Sequence, residues 1–500
     1  MNAAAARVLA ASADAAAGPR EGAVDGPQAD AAAGPRADRP ARTAAHTDAA
    51  VQALRAALGD DGVLTGEAIP ERCHTDWSGH APARPAALLR PRSTAEVSRA
   101  LAICNEHGQG VVPQGGRTGM AGGAVPRPED VVLSLERLNR IEELDPAAST
   151  MTVQAGVLLE QVQQAAAEAG LLFALDLGAR GSCQIGGNIA ANAGGLNVLR
   201  YGPARDQVLG LEVVLADGSV LTSLRKLIKD NAGYDLRQLF VGSEGTLGII
   251  TRAVLKLQPR PRSVQTLLVA LPGFDAAVRL LRRLQASYPV SAFELMWQDF
   301  MRTAFEWQAG RRAPLAGTHP FYALVELDGE ADAVQGTLAE AADAGLVLDA
   351  VLAASLADAR GLWALREITG EFPTRLEPIN FDLSLPVGVI GAFAERCRAA
   401  LSRRWPQHRS LFFGHVGDSN LHLTVDGRSI AGAPHAEVDA LVYELLREVP
   451  GASISAEHGI GLLKRDWLAH CRSAEEIAAM RRIKQALDAR AILNPGKVLA

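Results

Sequence analysis

Three glycine-rich stretches between residues 113 and 250 constrain most strongly what this chain can fold into. The first, Pro113–Gly123, directly follows Val111 and Val112, which have the character of a strand end. Glycines let the backbone turn with positive φ and let a ligand approach closely. Successive N–H groups can then face one concavity, which suits a phosphate or a pyrophosphate. For a single loop of this kind, a tight turn joining two strands is the alternative.

The second stretch occupies residues 177–195 and the third occupies residues 235–250. Three such loops in one domain can line a long groove for an extended ligand such as a dinucleotide. A Rossmann domain is excluded, because its G-x-G-x-x-G loop joins a strand to a helix. The first stretch here is instead predicted to run from strand to strand.

Length and composition exclude several classes of protein. A chain of 500 residues needs more than one hydrophobic core. The net charge of −6 comes without a basic stripe, so a nucleic-acid partner is not expected. Five scattered cysteines without a CxxC pair argue against a disulfide framework and against an iron–sulfur cluster. This cysteine usage suits a reducing compartment, so we expect a cytoplasmic protein, with peripheral attachment to a membrane as the alternative. No apolar run is long enough to span a bilayer.

The pattern along the chain divides it into four parts. Residues 1–46 are rich in Ala, Gly and Pro, cannot bury a core and are predicted to be disordered. Residues 47–260 hold the glycine stretches and end in a Pro-Arg-Pro linker. Residues 261–452 alternate predicted strands and helices and form a second α+β domain. Residues 453–500 are predicted to be mostly helical.

A second group of residues has the chemistry of a metal site. His415 and His422 bracket a glycine-containing turn between predicted strands, and Glu457 is a third candidate. Two imidazoles and a carboxylate can hold Zn²⁺ or Mn²⁺ and leave coordination positions open. For the two histidines alone, local hydrogen bonds within the turn are the alternative explanation.

The three glycine stretches resemble the FAD-binding loops of a known flavoprotein superfamily. The stretches QGGRTG at 114–119, GGNIA at 186–190 and GSEGTLG at 242–248 are similar to those of the vanillyl-alcohol oxidase/p-cresol methylhydroxylase (PCMH) superfamily. Within it, the chain is most similar to FAD-linked D-2-hydroxyacid dehydrogenases: D-lactate dehydrogenase, the glycolate oxidase flavin subunit and D-2-hydroxyglutarate dehydrogenase. The resemblance extends from about residue 47 to the C-terminus.

The resemblance implies an α+β fold. A PCMH-type FAD-binding domain of two α+β subdomains is expected at 47–260. An α+β substrate or cap domain with an antiparallel sheet is expected at 261–452. A helical C-terminal segment at 453–500 is expected to return to the FAD domain.

FAD is the cofactor that the resemblance implies, and its binding is expected to be non-covalent because no histidine in the loops offers an attachment point. The diphosphate is assigned to Pro113, Gln114, Gly115, Gly116, Arg117, Thr118, Gly119 and Met120. The rest of the FAD is assigned to Gly178, Gly181, Ser182, Gly186, Gly187, Asn188, Ala190, Glu244, Gly245, Gly248, Ile250 and Asn494.

By the same resemblance, His415, His422 and Glu457 match metal ligands, His458 matches the active-site base, and Arg366 matches the arginine that binds the substrate carboxylate. The implied reaction oxidises a D-2-hydroxy acid to the 2-oxo acid. The base takes the hydroxyl proton, the metal lowers the pKa of the hydroxyl, and flavin N5 accepts the hydride.

Three basic residues near this set have simpler alternatives. For Arg366, the alternative is an exposed helical arginine paired with Glu367 or other nearby acids. For Lys464 and Arg465, a solvated helix face is the favoured interpretation, although both could add positive potential to the site.

Two substrate positions depart from the family pattern. Asn380 stands where members acting on 2-hydroxyglutarate carry a lysine, and Thr424 stands where they carry an asparagine. A missing cation weakens the case for a second substrate carboxylate. Monocarboxylates or bulkier 2-hydroxy acids are therefore favoured over D-2-hydroxyglutarate as the small-molecule partner.

The remaining partners and rival functions stay open at this point. The electron acceptor can be a quinone, an electron-transfer flavoprotein, a cytochrome or oxygen, and a homodimer is common in the family. Within the superfamily, another oxidase or an ether-lipid-forming FAD transferase is the rival. Outside it, a metal hydrolase built on His415, His422 and Glu457 would leave the glycine loops unexplained, and a non-catalytic flavin-binding protein would leave His458 without a role.

Overall fold

The computed structural model describes residues 44–308, 313–430 and 434–499, all within one compact unit, Pro40–Ala500. Most of the tail predicted at 1–46 lies outside these residues. Its last three residues belong to the first helix, Ala44–Leu58, rather than to a disordered tail. The predicted domain limits at 260 and 452 stay predictions.

Strands occur throughout both halves of the chain. In chain order they are β1 Val63–Leu64, β2 Ala87–Leu89, β3 Val111–Gln114, β4 Val131–Ser134, β5 Ile141–Asp145, β6 Thr150–Gln154, β7 Leu171–Leu172, β8 Val208–Val214, β9 Val220–Ser223, β10 Ile249–Lys256, β11 Gln258–Pro259, β12 Val264–Leu271, β13 Val290–Trp297, β14 Phe321–Asp328, β15 Asp349–Leu352, β16 Pro378–Ser384, β17 Ser410–Gly414 and β18 Asn420–Asp426.

Helices alternate with these strands. In chain order they are α1 Ala44–Leu58, α2 Thr94–Glu106, α3 Leu159–Glu168, α4 Ile185–Ala190, α5 Val198–Tyr201, α6 Arg237–Phe240, α7 Phe274–Ser287, α8 Gln298–Trp307, α9 Ala331–Asp343, α10 Leu356–Arg366, α11 Phe372–Arg375, α12 Ile390–Arg404, α13 His435–Arg447 and α14 Ala474–Leu487. None of the described helices combines the length and the apolar character that crossing a bilayer requires.

Two sheets build the half of the chain that contains the glycine stretches. The first has the order β1-β2-β4-β3, and the second has the order β5-β6-β10-β8-β9. As predicted, the first glycine stretch leaves strand β3 and leads to strand β4, its parallel neighbour. The turn pair Asp217-Gly218 between two apolar runs predicts a β-hairpin, and β8 and β9 do pair antiparallel across this turn. The sequence Ser93-Thr94-Ala95-Glu96 predicts a helix N-cap, and the Ser93 hydroxyl does accept the Glu96 amide at the start of α2.

A seven-stranded antiparallel sheet builds the other half, in the order β15-β12-β14-β13-β17-β18-β16. Both of its faces are apolar, because successive side chains of a strand point to opposite sides. In β12, Leu267 and Val269 join the core beneath α7, α9, α12 and α13. Leu268 and Ala270 join the core beneath α8 and α10. The antiparallel sheet expected for the cap domain is therefore confirmed.

The C-terminal segment differs from the prediction. Helix α14 forms, with Ser473 and Glu476 making a capping box at its start. Residues 453–464 are not helical, however, and are joined to strand β16 by isolated bridges at Ser453 and Ser455. Further on, Ile492 and Leu493 enter the core of the glycine-loop half. The irregular stretch carries two of the candidate site residues, so its conformation matters for function.

Candidate active site

The three glycine stretches converge in space. A Cβ on Gly116 of the first would lie 2.1 Å from the carbonyl oxygen of Ser182 in the second. A Cβ on Gly245 of the third would lie 2.4 Å from Cγ of Pro113 in the first. Only glycine permits these approaches. The loops therefore form one continuous surface, as the dinucleotide-groove interpretation requires.

The C-terminus closes one side of this surface. The side-chain amide of Asn494 donates to the carbonyl oxygens of Gly123 at 2.9 Å and Glu244 at 2.8 Å. The amides of Leu462 and Leu463 both donate to the carbonyl oxygen of Ala121. Residues far apart in sequence thus hold the first and third loops together.

The residues present fit a polar cofactor such as FAD. Gln114 Oε1, Gln184 Oε1, Ser243 Oγ and Asn494 Oδ1 are buried and have no hydrogen-bond partner among the described residues. All four lie in or against the glycine loops. Burying an unpaired polar atom is unfavourable, so a ligand with hydrogen-bonding groups is the natural partner for this surface.

Three predicted cofactor residues have other structural roles. Ile250 lies in β10 with its side chain in the hydrophobic core, and Gly248 packs tightly against Val213 and Phe240. The Glu244 carboxylate binds backbone amides of the C-terminal segment. The cofactor contacts of these three residues stay predictions, as do those of the other assigned loop positions.

The three candidate metal ligands are brought together. The nitrogen and oxygen atoms that His415, His422 and Glu457 offer all lie within 4.8 Å of one another. Nε2 of each histidine is 3.8 Å from Glu457 Oε2. The second oxygen of Glu457 accepts the Gly195 amide of the second glycine stretch at 2.6 Å. This donor set fits a divalent cation, and it lies directly beside the surface formed by the glycine loops.

A buried carboxylate that the sequence did not reveal joins this set to Arg366. Glu294 has no exposed surface, and its two oxygens bind His415 Nδ1 and Arg366 Nε. Because Nδ1 of His415 is occupied, Nε2 is the nitrogen that faces Glu457. The arginine contacts Glu294, not Glu367, and is buried rather than exposed, so the alternative of a surface arginine is wrong.

Arg366 retains donors for an anionic ligand. Glu294 uses only its Nε, and its guanidinium stacks 4.6 Å from the ring centre of Phe413. The two terminal nitrogens are a planar pair that matches a carboxylate.

The charges of this cluster depend on one another. Burial opposes ionisation of Glu294, but the positive charges of His415 and Arg366 outweigh it and lower the pKa of Glu294 to about 2. Burial would lower the pKa of His415, yet Glu294 and Glu457 raise it to about 9. Burial holds the pKa of His422 well below its usual value. A cation binding at this site would therefore displace a proton from His415.

His458 lies next to His415, His422 and Glu457, on a side of the site that is more exposed to solvent. Its ring is nearly parallel to that of His422, with centres 6.0 Å apart. Its side chain is 23% exposed, against 10% for His422, so it is the more accessible of the two. Its Nδ1 is 3.8 Å from Asp382 Oδ2. The imidazole of His458 is thus more accessible than that of His422, and its role as the base stays a prediction.

Asp382 and Lys464 are also part of the site. Asp382 is fully buried in β16, and His458, Lys464 and His422 lower its pKa against the effect of burial. Lys464 was expected on a solvated face, and this is wrong: it is 6% exposed, and its Nζ donates to Ser455 Oγ at 3.0 Å. The sequence signal for Glu294 was a single acid within a mostly apolar strand, and Asp382 is the one charged residue of its strand.

Asn380 and Thr424 form a pair two positions along the ladder from Asp382 and His422. Because residues two apart in a strand share a face, both pairs lie on the same side of the sheet. The Thr424 hydroxyl donates to Asn380 Oδ1 at 2.8 Å. Thr424 is buried, whereas Asn380 is exposed. This neutral pair therefore lies on the same face as Asp382 and His422, and its contact with a substrate stays a prediction.

Replacing Glu294 with glutamine should lower the free energy of unfolding by about 3 kcal/mol, because removing one member of a buried ion pair leaves the other uncompensated. Thermal unfolding of the purified variant measures this. The exposed pair of Arg283 and Glu340 provides the control, since Glu340→Gln should change stability by less than about 1 kcal/mol. Equal effects of the two substitutions would contradict the role assigned to Glu294.

Comparisons with known proteins identify the domains and the fold. The model of an FAD binding domain matches residues 85–223, and the model of the C-terminal domain of FAD linked oxidases matches residues 260–498. The structure of p-cresol methylhydroxylase superposes with a TM-score of 0.73 at 19% identity, over 91% of this chain and 97% of the other. The fold is therefore that of the PCMH-type flavoproteins, as predicted.

Sequence relatives narrow the class further. A D-2-hydroxyglutarate dehydrogenase of Xanthomonas citri pv. viticola is 41% identical over 90% of this chain and 97% of the relative. The mitochondrial D-2-hydroxyglutarate dehydrogenase of Bos taurus is 40% identical over 87% of this chain and 81% of the relative. The chain belongs to the D-2-hydroxyglutarate dehydrogenase family of FAD-linked 2-hydroxyacid dehydrogenases. This membership decides against the metal hydrolase and the ether-lipid transferase.

Proposed function

We propose that the protein oxidises a D-2-hydroxy acid to the 2-oxo acid, with His458 as the base and Arg366 holding the substrate carboxylate. The observation that carries the proposal is the convergence of Arg366, the three metal-type ligands and His458 beside the second glycine loop. The Gly195–Glu457 hydrogen bond ties that loop to the ligand set. Carboxylate binding, proton removal and the cofactor surface are thereby within reach of one small molecule.

Each residue has a distinct part in this proposal. Arg366 orients the acid through its carboxylate, and His458 accepts the hydroxyl proton as the Cα–H bond breaks. FAD, when bound at the loops, supplies the hydride acceptor. A divalent cation held by His415, His422 and Glu457, with Zn²⁺ or Mn²⁺ as candidates, would supply the Lewis acidity that favours loss of the hydroxyl proton.

The far end of the substrate is proposed to be uncharged. The pair of Asn380 and Thr424 offers a hydroxyl and an amide at this position, and neither carries a positive charge. A second carboxylate would then gain no ion pair from these two residues. Although relatives are named for 2-hydroxyglutarate, we expect this chain to prefer a D-2-hydroxy acid with one carboxylate.

Anaerobic mixing of the yellow holoenzyme with single D- and L-2-hydroxy acids tests the reaction. The flavin absorbance should bleach with D-acids and remain with their L-enantiomers. A flavin that no D-acid bleaches, or a colourless protein with full metal occupancy, would refute the proposed function.

Replacing Asn380 with lysine should lower KM for D-2-hydroxyglutarate by about tenfold, because a charge-assisted hydrogen bond contributes on the order of 1.5 kcal/mol. KM for D-lactate should change little. Asn380→Gln, which keeps the position neutral, is the control. A wild-type enzyme whose KM is already lower for D-2-hydroxyglutarate than for D-lactate, with no further decrease in the Asn380→Lys variant, would contradict the proposal that the far end of the substrate is uncharged.

Four further expectations from the sequence stay predictions. These are the electron acceptor (a quinone, an electron-transfer flavoprotein or a cytochrome), the homodimer, the non-covalent attachment of FAD and the cytoplasmic location.

A further inference from the structure

The segment from Ser455 to Gly461 carries Glu457 and His458 but forms no helix of its own. Gly459 and Gly461 both have positive φ, at 76° and 50°. A stretch of this kind lacks the repeated backbone hydrogen bonds that fix the direction of a side chain in a helix or a strand. Something else must therefore determine where the two site residues point.

Asp382 binds the first half of this segment. Its Oδ2 accepts the backbone amides of Ala456 at 3.1 Å, Glu457 at 2.8 Å and His458 at 2.9 Å. The same oxygen accepts the Ser455 hydroxyl at 3.2 Å. Three consecutive amides thus point at one fully buried carboxylate. Three backbone amides and one hydroxyl therefore donate to Oδ2 of Asp382.

Glu244 binds the second half. Its Oε1 accepts the Ile460 amide at 2.7 Å, and its Oε2 accepts the Gly461 amide at 2.8 Å. The Glu244 backbone is itself fixed, because its amide donates to Ala190 at 2.8 Å and its carbonyl accepts from Asn494. Its φ of 50° places it in the left-handed region, and the second loop and the C-terminus both hold it there.

We propose that Asp382 and Glu244 are positioning residues that together hold the backbone of residues 456–461, so that Glu457 and His458 face the substrate. Five of the six amides in this stretch end on these two carboxylates. The inference rests on the proposed function for the roles of Glu457 and His458.

The two carboxylates come from different parts of the fold. Asp382 belongs to the seven-stranded sheet that also carries His422, its partner across the ladder. Glu244 belongs to the third glycine loop, which contacts the first loop through Gly245 and Pro113. The base is therefore positioned against the metal-type ligands and the cofactor surface at the same time. Glu244 thereby serves the site through the segment that carries the base.

Glu244→Gln in the holoenzyme is the test. The glutamine side chain keeps one acceptor oxygen for one backbone amide but presents an N–H group to the other. One of the two hydrogen bonds is therefore lost. We expect kcat to fall about tenfold to a hundredfold, the effect of a small misplacement of a reacting group. KM for the hydroxy acid and the FAD bound per chain should stay within about twofold of wild type.

Glu212 provides the matched control in the same half of the chain. It is a buried glutamate whose oxygens accept from the hydroxyls of Thr94, Thr251 and Thr222, and it lies outside the site. Glu212→Gln should leave kcat unchanged. If both substitutions lower kcat equally, or if Glu244→Gln loses FAD instead, the positioning role is wrong.

Hydrogen–deuterium exchange provides a readout that needs no turnover. In Glu244→Gln, the peptide covering residues 456–461 should exchange at least about tenfold faster than in wild type, while the peptide covering β8 should not. If Glu244→Gln yields too little protein, Glu244→Asp takes its place, because it withdraws the carboxylate by one methylene. Unchanged exchange at 456–461 would overturn the proposal even if the protein oxidises no hydroxy acid, so the two failures are distinguishable.

Discussion

Replacing His458 with alanine should slow flavin reduction by a D-2-hydroxy acid about a hundredfold to ten-thousandfold, the usual cost of losing a general base. The physical reason is that the hydroxyl proton then has no acceptor of suitable basicity beside the Cα–H bond. FAD content should stay unchanged, because His458 lies in the C-terminal segment and not in a glycine loop. Stopped-flow absorbance of the oxidised flavin measures the rate directly.

His470 provides the control for this variant. It lies in the same C-terminal part of the chain, and its Nε2 is bonded to Glu444 rather than to the site. His470→Ala should reduce flavin at the wild-type rate. A His458→Ala enzyme that reduces its flavin as fast as wild type would show that another group takes the proton.

Replacing His415 with alanine should abolish binding of the proposed metal and lower turnover on the order of a hundredfold or more. One of the three proposed ligands is lost, and Glu294 simultaneously loses the partner that holds one of its oxygens. Metal content per chain, measured by mass spectrometry, and turnover with a D-2-hydroxy acid check the two parts of the expectation.

His408 is the matched control, because its ring bonds only a nearby backbone carbonyl, that of Trp405, among the contacts described for it. His408→Ala should retain metal and activity. In wild-type protein stripped by a chelator, added Zn²⁺ or Mn²⁺ should restore turnover, and the His415→Ala protein should not respond. Full metal content together with unchanged turnover in His415→Ala would defeat the assignment of His415 as a ligand.

The sequence alone predicted those features that depend on a few neighbouring residues. Clustered glycines mark loops that a ligand can approach, and they are visible without knowing what the loops face. Two histidines around a turn between strands suggest a metal-type pair for the same reason, since His415 and His422 are close in sequence. The capping signal of Ser93 and the hairpin of β8 and β9 were likewise local, and the structure confirms both.

The partners of buried charges were beyond the sequence, because they come from distant positions. Glu294 binds His415 across 121 residues and Arg366 across 72. A single acid in an apolar strand can be recognised as unusual, but its counter-charge cannot be identified until the strands are paired. Lys464 was misjudged for the same reason, since its environment is set by Asp382 and Ser455.

By itself, the sequence indicated three glycine-rich loops able to face one extended ligand and a group of two histidines and a carboxylate typical of a metal site. Its resemblance to known flavoproteins added the expectation of an α+β fold, of FAD and of the roles of the site residues. The tertiary structure decided which loops touch, which oxygen of each buried acid binds which partner, and what holds the irregular segment that carries His458. Glu244 shows the difference most clearly. Its motif predicts a cofactor contact, whereas its carboxylate accepts the backbone amides of Ile460 and Gly461, which lie 216 and 217 residues further along the chain. Hydrogen bonds between such distant groups are specified by the packing of whole sheets, which no short motif encodes.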